Sequence, residues 1–384
     1  MGLPFIVFGA PDIGDAEIQE VLATMQSGWL GTGPRVAAFE AQFAAFKATP
    51  TAHLAAVNSC TAALHLSLLA AGVGAGDEVI TSALTFCAAA NAILHAGAKP
   101  VLVDVDSTTM NMNPAQLESK ITAKTRALMP VHFAGLPCDM DAIIEIAKRH
   151  RLQIIEDCAH AVEASYRGQA TGTMGDYGCF SFYATKNVTT GEGGMVLARD
   201  AQSAQRIKTL ALHGMTHDAW ARFSDEGYKH YKVVECGFKY NMMDLQAAIG
   251  MHQLNRVQAA WERRHALWQR YQDAFAQLPV VRPADAPPYV RHAYHLYTLL
   301  IDERRCSITR DEFIARMTQQ GVGVGVHYLA LPEHPYYQNH LGWKPADTPH
   351  ATQIGRQTVS LPMSPKLTAG EADRVIAAVF AALK

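Results

Sequence analysis

Between Val57 and Leu197 the chain repeats one pattern: a short apolar, β-branched run, then a longer segment with apolar residues at helical spacing. "TAALHLSLLAAG" predicts a helix with Thr61 near its start and Gly72 just past its end. "DEVIT" predicts a strand, "FCAAANAILHAGA" a helix and "KPVLVDVD" a strand. "TRALMPVHF" reads as a strand, "MDAIIEIAKRH" as a helix and "LQIIEDCA" as another strand. Strands that alternate with helices build βαβ units, which make neighbouring strands run parallel. The fold class expected is α/β, with a mostly parallel mixed sheet flanked by helices.

Near Asp244 the character changes. "MDLQAAIGMHQLNRVQAAWERRHALWQRYQDAFAQL" keeps helical spacing for many turns and predicts one long helix. After the proline-rich "PVVRPADAPPYVR" come "HAYHLYTLLID" (strand), "TRDEFIARMTQQ" (helix) and "GVGVGVHY" (strand). The organisation expected is an N-terminal segment and large domain over residues 1–250. A linking helix and a smaller C-terminal α+β domain would follow over residues 251–384.

Charge and termini remove several function classes. A net charge of −2 over 384 residues gives no general attraction to nucleic acid or to an anionic membrane. The apolar runs, such as "VIAAVFAAL", are far too short to span a bilayer. The N-terminus lacks the basic segment of a secretory signal, and Ile6 stands where a myristoylation motif after Gly2 needs Ser or Thr. The 7 cysteines contain no C-x-x-C pair, so neither a disulfide framework nor a cysteine-rich zinc site is expected. A soluble protein of a reducing compartment, the cytoplasm, is the expectation.

Open α/β sheets bind ligands at the carboxyl ends of their strands. Asp157 ends "LQIIED", Ser181 lies in "CFSFY", and Lys186 follows that run before "NVTTGEGG". An acid and a lysine at one sheet edge can be a plain salt bridge. The sharper reading is a pyridoxal phosphate site, where a lysine carries the cofactor as a Schiff base and an acid meets the pyridinium nitrogen. Gly191, Gly193 and Gly194 suit a segment that passes close to a bulky ring. "VNSCTAAL" places Asn58, Ser59, Cys60 and Thr61 where a helix begins, and free N–H groups there favour a phosphate, unless they serve only as a cap. Ser181 can add a hydroxyl to that phosphate.

Other motifs carry less. "GVGAGDE" follows a helix rather than a strand, the wrong context for a dinucleotide fingerprint, which disfavours a nicotinamide oxidoreductase. His213 and His217 sit at metal-ligand spacing, yet no H-E-x-x-H accompanies them, and no metal is expected.

Several longer stretches resemble one family. "EDCAHA", "GDYGCFSFYATKNVTTGEGGMV" and "GFKYNMMDLQAAIG" are similar to the DegT/DnrJ/EryC1/StrS sugar aminotransferases. The resemblance runs in order from "SGWLGTGPRVAAFE" through "LTFCAAANAILHAGAKPVLVDVD" and "PVHFAGLPCDM" to "SLPMSPKLT". It implies a fold type I pyridoxal-phosphate enzyme that works as a homodimer with active sites at the subunit interface.

Under that resemblance Lys186 matches the Schiff-base lysine and Asp157 the partner of the ring nitrogen. His160 falls near the ring hydroxyl and Phe86 matches the stacking aromatic. Ser59, Cys60, Thr61 and Ser181 match the phosphate cradle, with Cys60 replacing a glycine common in the family. The segment from Lys239 to Asn241 is similar to the one that reaches the neighbouring subunit's phosphate. Either Lys239 or Asn241 makes that contact, with Asn241 preferred. Gly31, Thr32, Tyr183 and His327 would line a sugar-nucleotide pocket. The activity implied is transfer of an amino group from L-glutamate to a nucleotide-linked keto-deoxy sugar. Lysine at 186 argues against the family's pyridoxamine-phosphate dehydratases, which tend to carry histidine there. A non-catalytic homologue is the remaining alternative.

Overall fold

The computed structural model describes residues 4–216 and 231–384. Seven strands form one sheet in the order Leu54–Val57, Gly194–Ala198, Tyr177–Ser181, Gln153–Asp157, Thr125–Met129, Glu78–Ser82, Lys99–Val103. Every pairing from Tyr177–Ser181 outward to Lys99–Val103 is parallel. Gly194–Ala198 runs antiparallel to both of its neighbours. Leu54–Val57 must therefore point the same way as the parallel strands. The carboxyl ends of all but one strand consequently lie on a single edge of the sheet.

The strands Leu54–Val57, Glu78–Ser82, Tyr177–Ser181 and Gly194–Ala198 are buried along their whole length, as expected where both faces are covered. The helix Cys60–Ala70 is buried almost all round, consistent with its apolar "TAALHLSLLA" sequence. It ends where predicted, with Gly72 in the left-handed region at φ 76°.

A second core gathers Trp268, Tyr271, Tyr297, Phe313, Val359 and Val375 around the antiparallel pair Tyr297–Leu300 and Thr358–Leu361. Ile6 belongs to this core, and its backbone pairs with Gly321 and Gly323.

Two elements differ from expectation. The single long helix is two, Asp244–Asn255 and Val257–Ala274, separated by Arg256 at φ −108° and ψ 8°. The break lets the first half pack on the helices Asp15–Ser27 and Pro34–Phe46 while the second carries Trp268 and Tyr271 into the other core. Arg256 secures the corner by donating to the carboxylate of Glu17 at 2.6 Å and to the main-chain oxygen of Asp12. "GVGVGVHY" forms no strand. Only Val322 and Gly325 make isolated bridges, to Ile6 and Ser360, because three alternating valines cannot outweigh the glycines between them. Among the described residues no helix is long and apolar enough to cross a membrane.

Candidate active site

The shared edge of the sheet brings the predicted chemistry together. Asp157 closes the strand Gln153–Asp157, and Ser181 closes Tyr177–Ser181 beside it. Leu54–Val57 delivers Asn58 and Ser59 to the same edge, where the helix Cys60–Ala70 begins. A cleft of about 510 Å³ opens there, lined by Ser59, Cys60, Thr61, Phe86, Asp157 and His160. Ser181, Tyr183, Lys186 and His327 line it as well.

Lys186 sits in the turn after Ser181, its N–H donating to the Tyr183 carbonyl at 2.9 Å. The side chain is partly open to the cleft. Surrounding protein strips water from its ammonium, lowering the pKa to about 8 against the opposing pull of Asp157. Asp157 is nearly enclosed. Burial raises its pKa, offset by the Ala159 N–H, which donates to Oδ1 at 3.0 Å, and by Lys186. Each group thus lies displaced toward neutrality by burial, and each is the other's counter-charge.

Ser59 caps its helix, accepting from the Ala62 N–H at 3.1 Å. Gly194 pairs with Ser181 and starts the reversed strand. A Cβ at Gly194 would come within 2.5 Å of the Ser59 carbonyl and 2.8 Å of the Cys60 nitrogen. Only glycine lets this strand press against the helix start and hold its N–H groups at the cleft.

Glu156 points to the opposite face of the sheet from Asp157, as strand alternation requires. Its buried carboxylate accepts from the N–H groups of Gly172, Met174 and Gly175 at 2.7–2.8 Å and lies 3.0 Å from His132 Nε2. Desolvation opposes ionisation, yet these bonds, His132 foremost, leave its pKa below the usual range. With Cys158 nearby this is a His/Cys/acid cluster, but the Glu156 oxygens are engaged in holding the loop after Thr171 and His132 Nε2 meets one of them. His213 is described and His217 lies outside the described residues.

Four predicted residues are not in this cleft. Thr32 and Asn241 line a separate hollow with Trp29, Gly33 and Leu212, where Asn241 Nδ2 donates to Thr32 Oγ1 at 2.6 Å. Gly31 and Lys239 are exposed beside it, and the Lys239 carbonyl accepts from Asn58 Nδ2 at 3.3 Å. The 239–241 segment therefore does not line the chain's own cleft, although its backbone pairs with Val57 and Asn58 beside it.

Other residues enter that the sequence did not single out. Thr85, Glu192 and Tyr328 line the cleft. Behind Lys186, His295 Nδ1 lies 2.9 Å from Asn187 Oδ1, and Asn187 Nδ2 donates to Glu163 at 3.0 Å. Glu163 is in turn paired with the buried Arg264. Tyr328 had a signal, since it adjoins His327 in "VHY". Asn187, His295 and Arg264 had none, because their meeting depends on how the two cores dock.

As a donor set the cleft suits pyridoxal phosphate: an amine, an acid facing it, and a helix start for the phosphate. A family model for the DegT/DnrJ/EryC1/StrS aminotransferase family matches residues 11–380. The chain is 48% identical over 376 residues to the spore coat polysaccharide biosynthesis protein SpsC of Bacillus subtilis, spanning 98% of this chain and 96% of SpsC. Spr1654 from Streptococcus pneumoniae, solved in PMP and PLP forms, shares the fold with TM-score 0.91 and 33% identity over 99% of this chain and 98% of its own. The sugar aminotransferase CalS13 from Micromonospora echinospora superposes with TM-score 0.87 and 29% identity, covering 98% of this chain and 99% of its own. The chain belongs to the DegT/DnrJ/EryC1/StrS aminotransferase family, with fold type I and pyridoxal phosphate as its cofactor.

Proposed function

We propose that the protein transfers an amino group from L-glutamate to the ketone of a nucleotide-linked keto-deoxy sugar. The observation that carries this reading is Lys186, an amine lowered to about 8 and set across a cleft from a buried acid. When bound, pyridoxal phosphate supplies an electron sink for the carbanion formed at the carbon that gains or loses the amine. Asp157 would keep a proton on the ring nitrogen. Lys186 Nζ would be the point of attachment and, once released, would carry the proton to and from the reacting carbon. Ser59, Thr61 and Ser181 would receive the phosphate, Cys60 contributing through its N–H alone. Phe86, exposed at the cleft wall, would stack on the ring.

The sugar part of the reading draws on SpsC, whose name places it in polysaccharide biosynthesis, and on the open side of the cleft, where Tyr183 and His327 stand. The second hollow supports a homodimer. Asn241 and Thr32 line a hollow other than their own cleft, so Gly31, Thr32, Lys239 and Asn241 would complete the site of a second copy. The division at about residue 250 and a cytoplasmic location belong to the same reading.

Incubating the purified holoenzyme with L-glutamate and a panel of keto-sugar nucleotides, followed by mass spectrometry, tests it. The expected product is an aminated nucleotide sugar formed together with 2-oxoglutarate. Amination of free keto acids but of no sugar nucleotide would overturn the substrate class.

A further inference from the structure

Lys186 and Asn187 lie in the loop 183–189, between the strands Tyr177–Ser181 and Gly194–Ala198. The Thr190 N–H closes the base of this loop by donating to the Phe182 carbonyl at 2.9 Å. Val188 is buried in the core, but apolar contact is non-directional and does not aim a backbone. Among the described residues, Asn187 alone ties residues 183–189 by hydrogen bonds to distant parts of the chain. Its Nδ2 donates to Glu163 Oε2 and to the Ala293 carbonyl, both at 3.0 Å. Two acceptors on that side orient the amide, so Oδ1 is the atom that meets His295 Nδ1 at 2.9 Å. The His295 imidazole must then carry its hydrogen on Nδ1. Both amide hydrogens and the amide oxygen of Asn187 are thereby engaged. Each partner is itself held. Glu163 is paired with Arg264, and both side chains are buried. The N–H groups of Ala293 and His295 donate to the carbonyls of Gly135 and Ala134 at 2.9 and 3.1 Å.

We propose that Asn187 is the positioning residue for Lys186, fixing the stretch of backbone from which the amine reaches into the cleft. This rests on Lys186 as the point of attachment and as the carrier of the proton. A lysine amine rides on a flexible four-carbon stem, so the protein controls where it acts chiefly by holding the backbone at its root. Once released, the amine has to come back to the same carbon in each half of the reaction. A displacement of about 1 Å at a reacting group costs about 100-fold in rate. Asn187 opposes that displacement at the very next residue, through three directional bonds to segments that are anchored independently. Glu163 and Arg264 act one step further back, by keeping one of those acceptors charged and in place.

Asn187→Ala removes all three bonds, and two rates read the result. The first is uptake of pyridoxal phosphate by the apoprotein, followed as the visible band per folded molecule. The second is loss of that band when the loaded protein is mixed rapidly with L-glutamate, counted per chromophore so that unfolded or unloaded molecules drop out. Both should fall by roughly 10- to 100-fold, whereas a residue that only stabilised the fold would leave each loaded molecule at the wild-type rate. If Asn187→Ala does not fold, Asn187→Asp keeps the shape and the acceptor facing His295, loses both donors, and should slow the same two rates. The second measurement is then repeated in Lys186→Ala, with ethylamine in solution as the base. With no tethered amine to place, adding Asn187→Ala should change nothing further. Wild-type rates in the single variant would overturn the proposal, and so would a further loss in the Lys186→Ala background. A wild-type protein that shows no visible band after loading would instead overturn attachment at Lys186. A band that L-glutamate leaves unchanged would overturn the amino donor, with uptake by the apoprotein still deciding the role of Asn187.

Discussion

At the scale of the residue, the site turns on a lysine whose charge is costly where it sits. Lysine is almost never enclosed unless something pairs with it, and the pairing acid here is itself displaced toward neutrality. Below its pKa the amine is protonated and cannot attack an aldehyde, while above it the lone pair is free. The rate at which apoprotein takes up pyridoxal phosphate into a visible chromophore should therefore climb through about pH 8. A rate still climbing only above pH 10, as for a solvated lysine, would show that the amine is not desolvated. Burial lowers this pKa below that of the unfolded chain, so between the two values the unfolded state binds more protons. The contribution of Lys186 to apoprotein stability thus rises with pH across that window. Lys186→Ala should lose the chromophore and lower kcat by roughly two to four orders of magnitude. Full turnover in that variant would remove the residue from the chemistry.

At the scale of the element, close approach and loop anchoring set the cleft. Gly194→Ala puts a methyl group against the backbone of Ser59 and Cys60, which cannot rotate away. The expected cost is about 1–3 kcal/mol in a urea titration, with weaker cofactor binding because the helix start is displaced. Unchanged affinity would mean that the helix start does not hold the phosphate. Glu156 ties the loop at Gly172–Gly175 to the strand that carries Asp157. Glu156→Gln should cost about 2–3 kcal/mol at neutral pH, the worth of charge-assisted bonds. The folded carboxylate's pKa is depressed, so its contribution is present above the unfolded value and is lost as pH falls through the folded one. The stability gap between wild type and variant should accordingly close in acid, and a gap independent of pH would argue that the charge is immaterial.

At the scale of the whole molecule, the separation of Asn241 from its own cleft makes a strong prediction about assembly. If sites are shared, Lys186→Ala and Asn241→Ala chains can complement each other. A mixed dimer then carries one site with both lesions and one with none. Random mixing of two inactive variants should restore about a quarter of wild-type activity, from the statistics of a two-fold dimer. No recovery after confirmed subunit exchange would mean that each chain completes its own site.

Much of this was legible beforehand because it depends on short-range order. Apolar runs bounded by Gly72 and Gly97 mark the strands and helices, and parallel strands place their carboxyl ends together whatever the detail of packing. From that alone Asp157, Ser181 and the start of the Cys60 helix had to share an edge, with Lys186 close behind. The remainder involves residues far apart in the chain. The break at Arg256 depends on Glu17 and Asp12 arriving from the N-terminus. The partners that "GVGVGVHY" does find, Ile6 and Ser360, come from distant parts of the chain and make single bridges only. The contact of Tyr328 with His160, itself held by the Ala134 backbone, likewise joins distant parts of the chain. Local sequence determines which groups stand at the sheet edge. Which of them face one another is settled by the docking of two cores, a contact that no single stretch of the chain encodes.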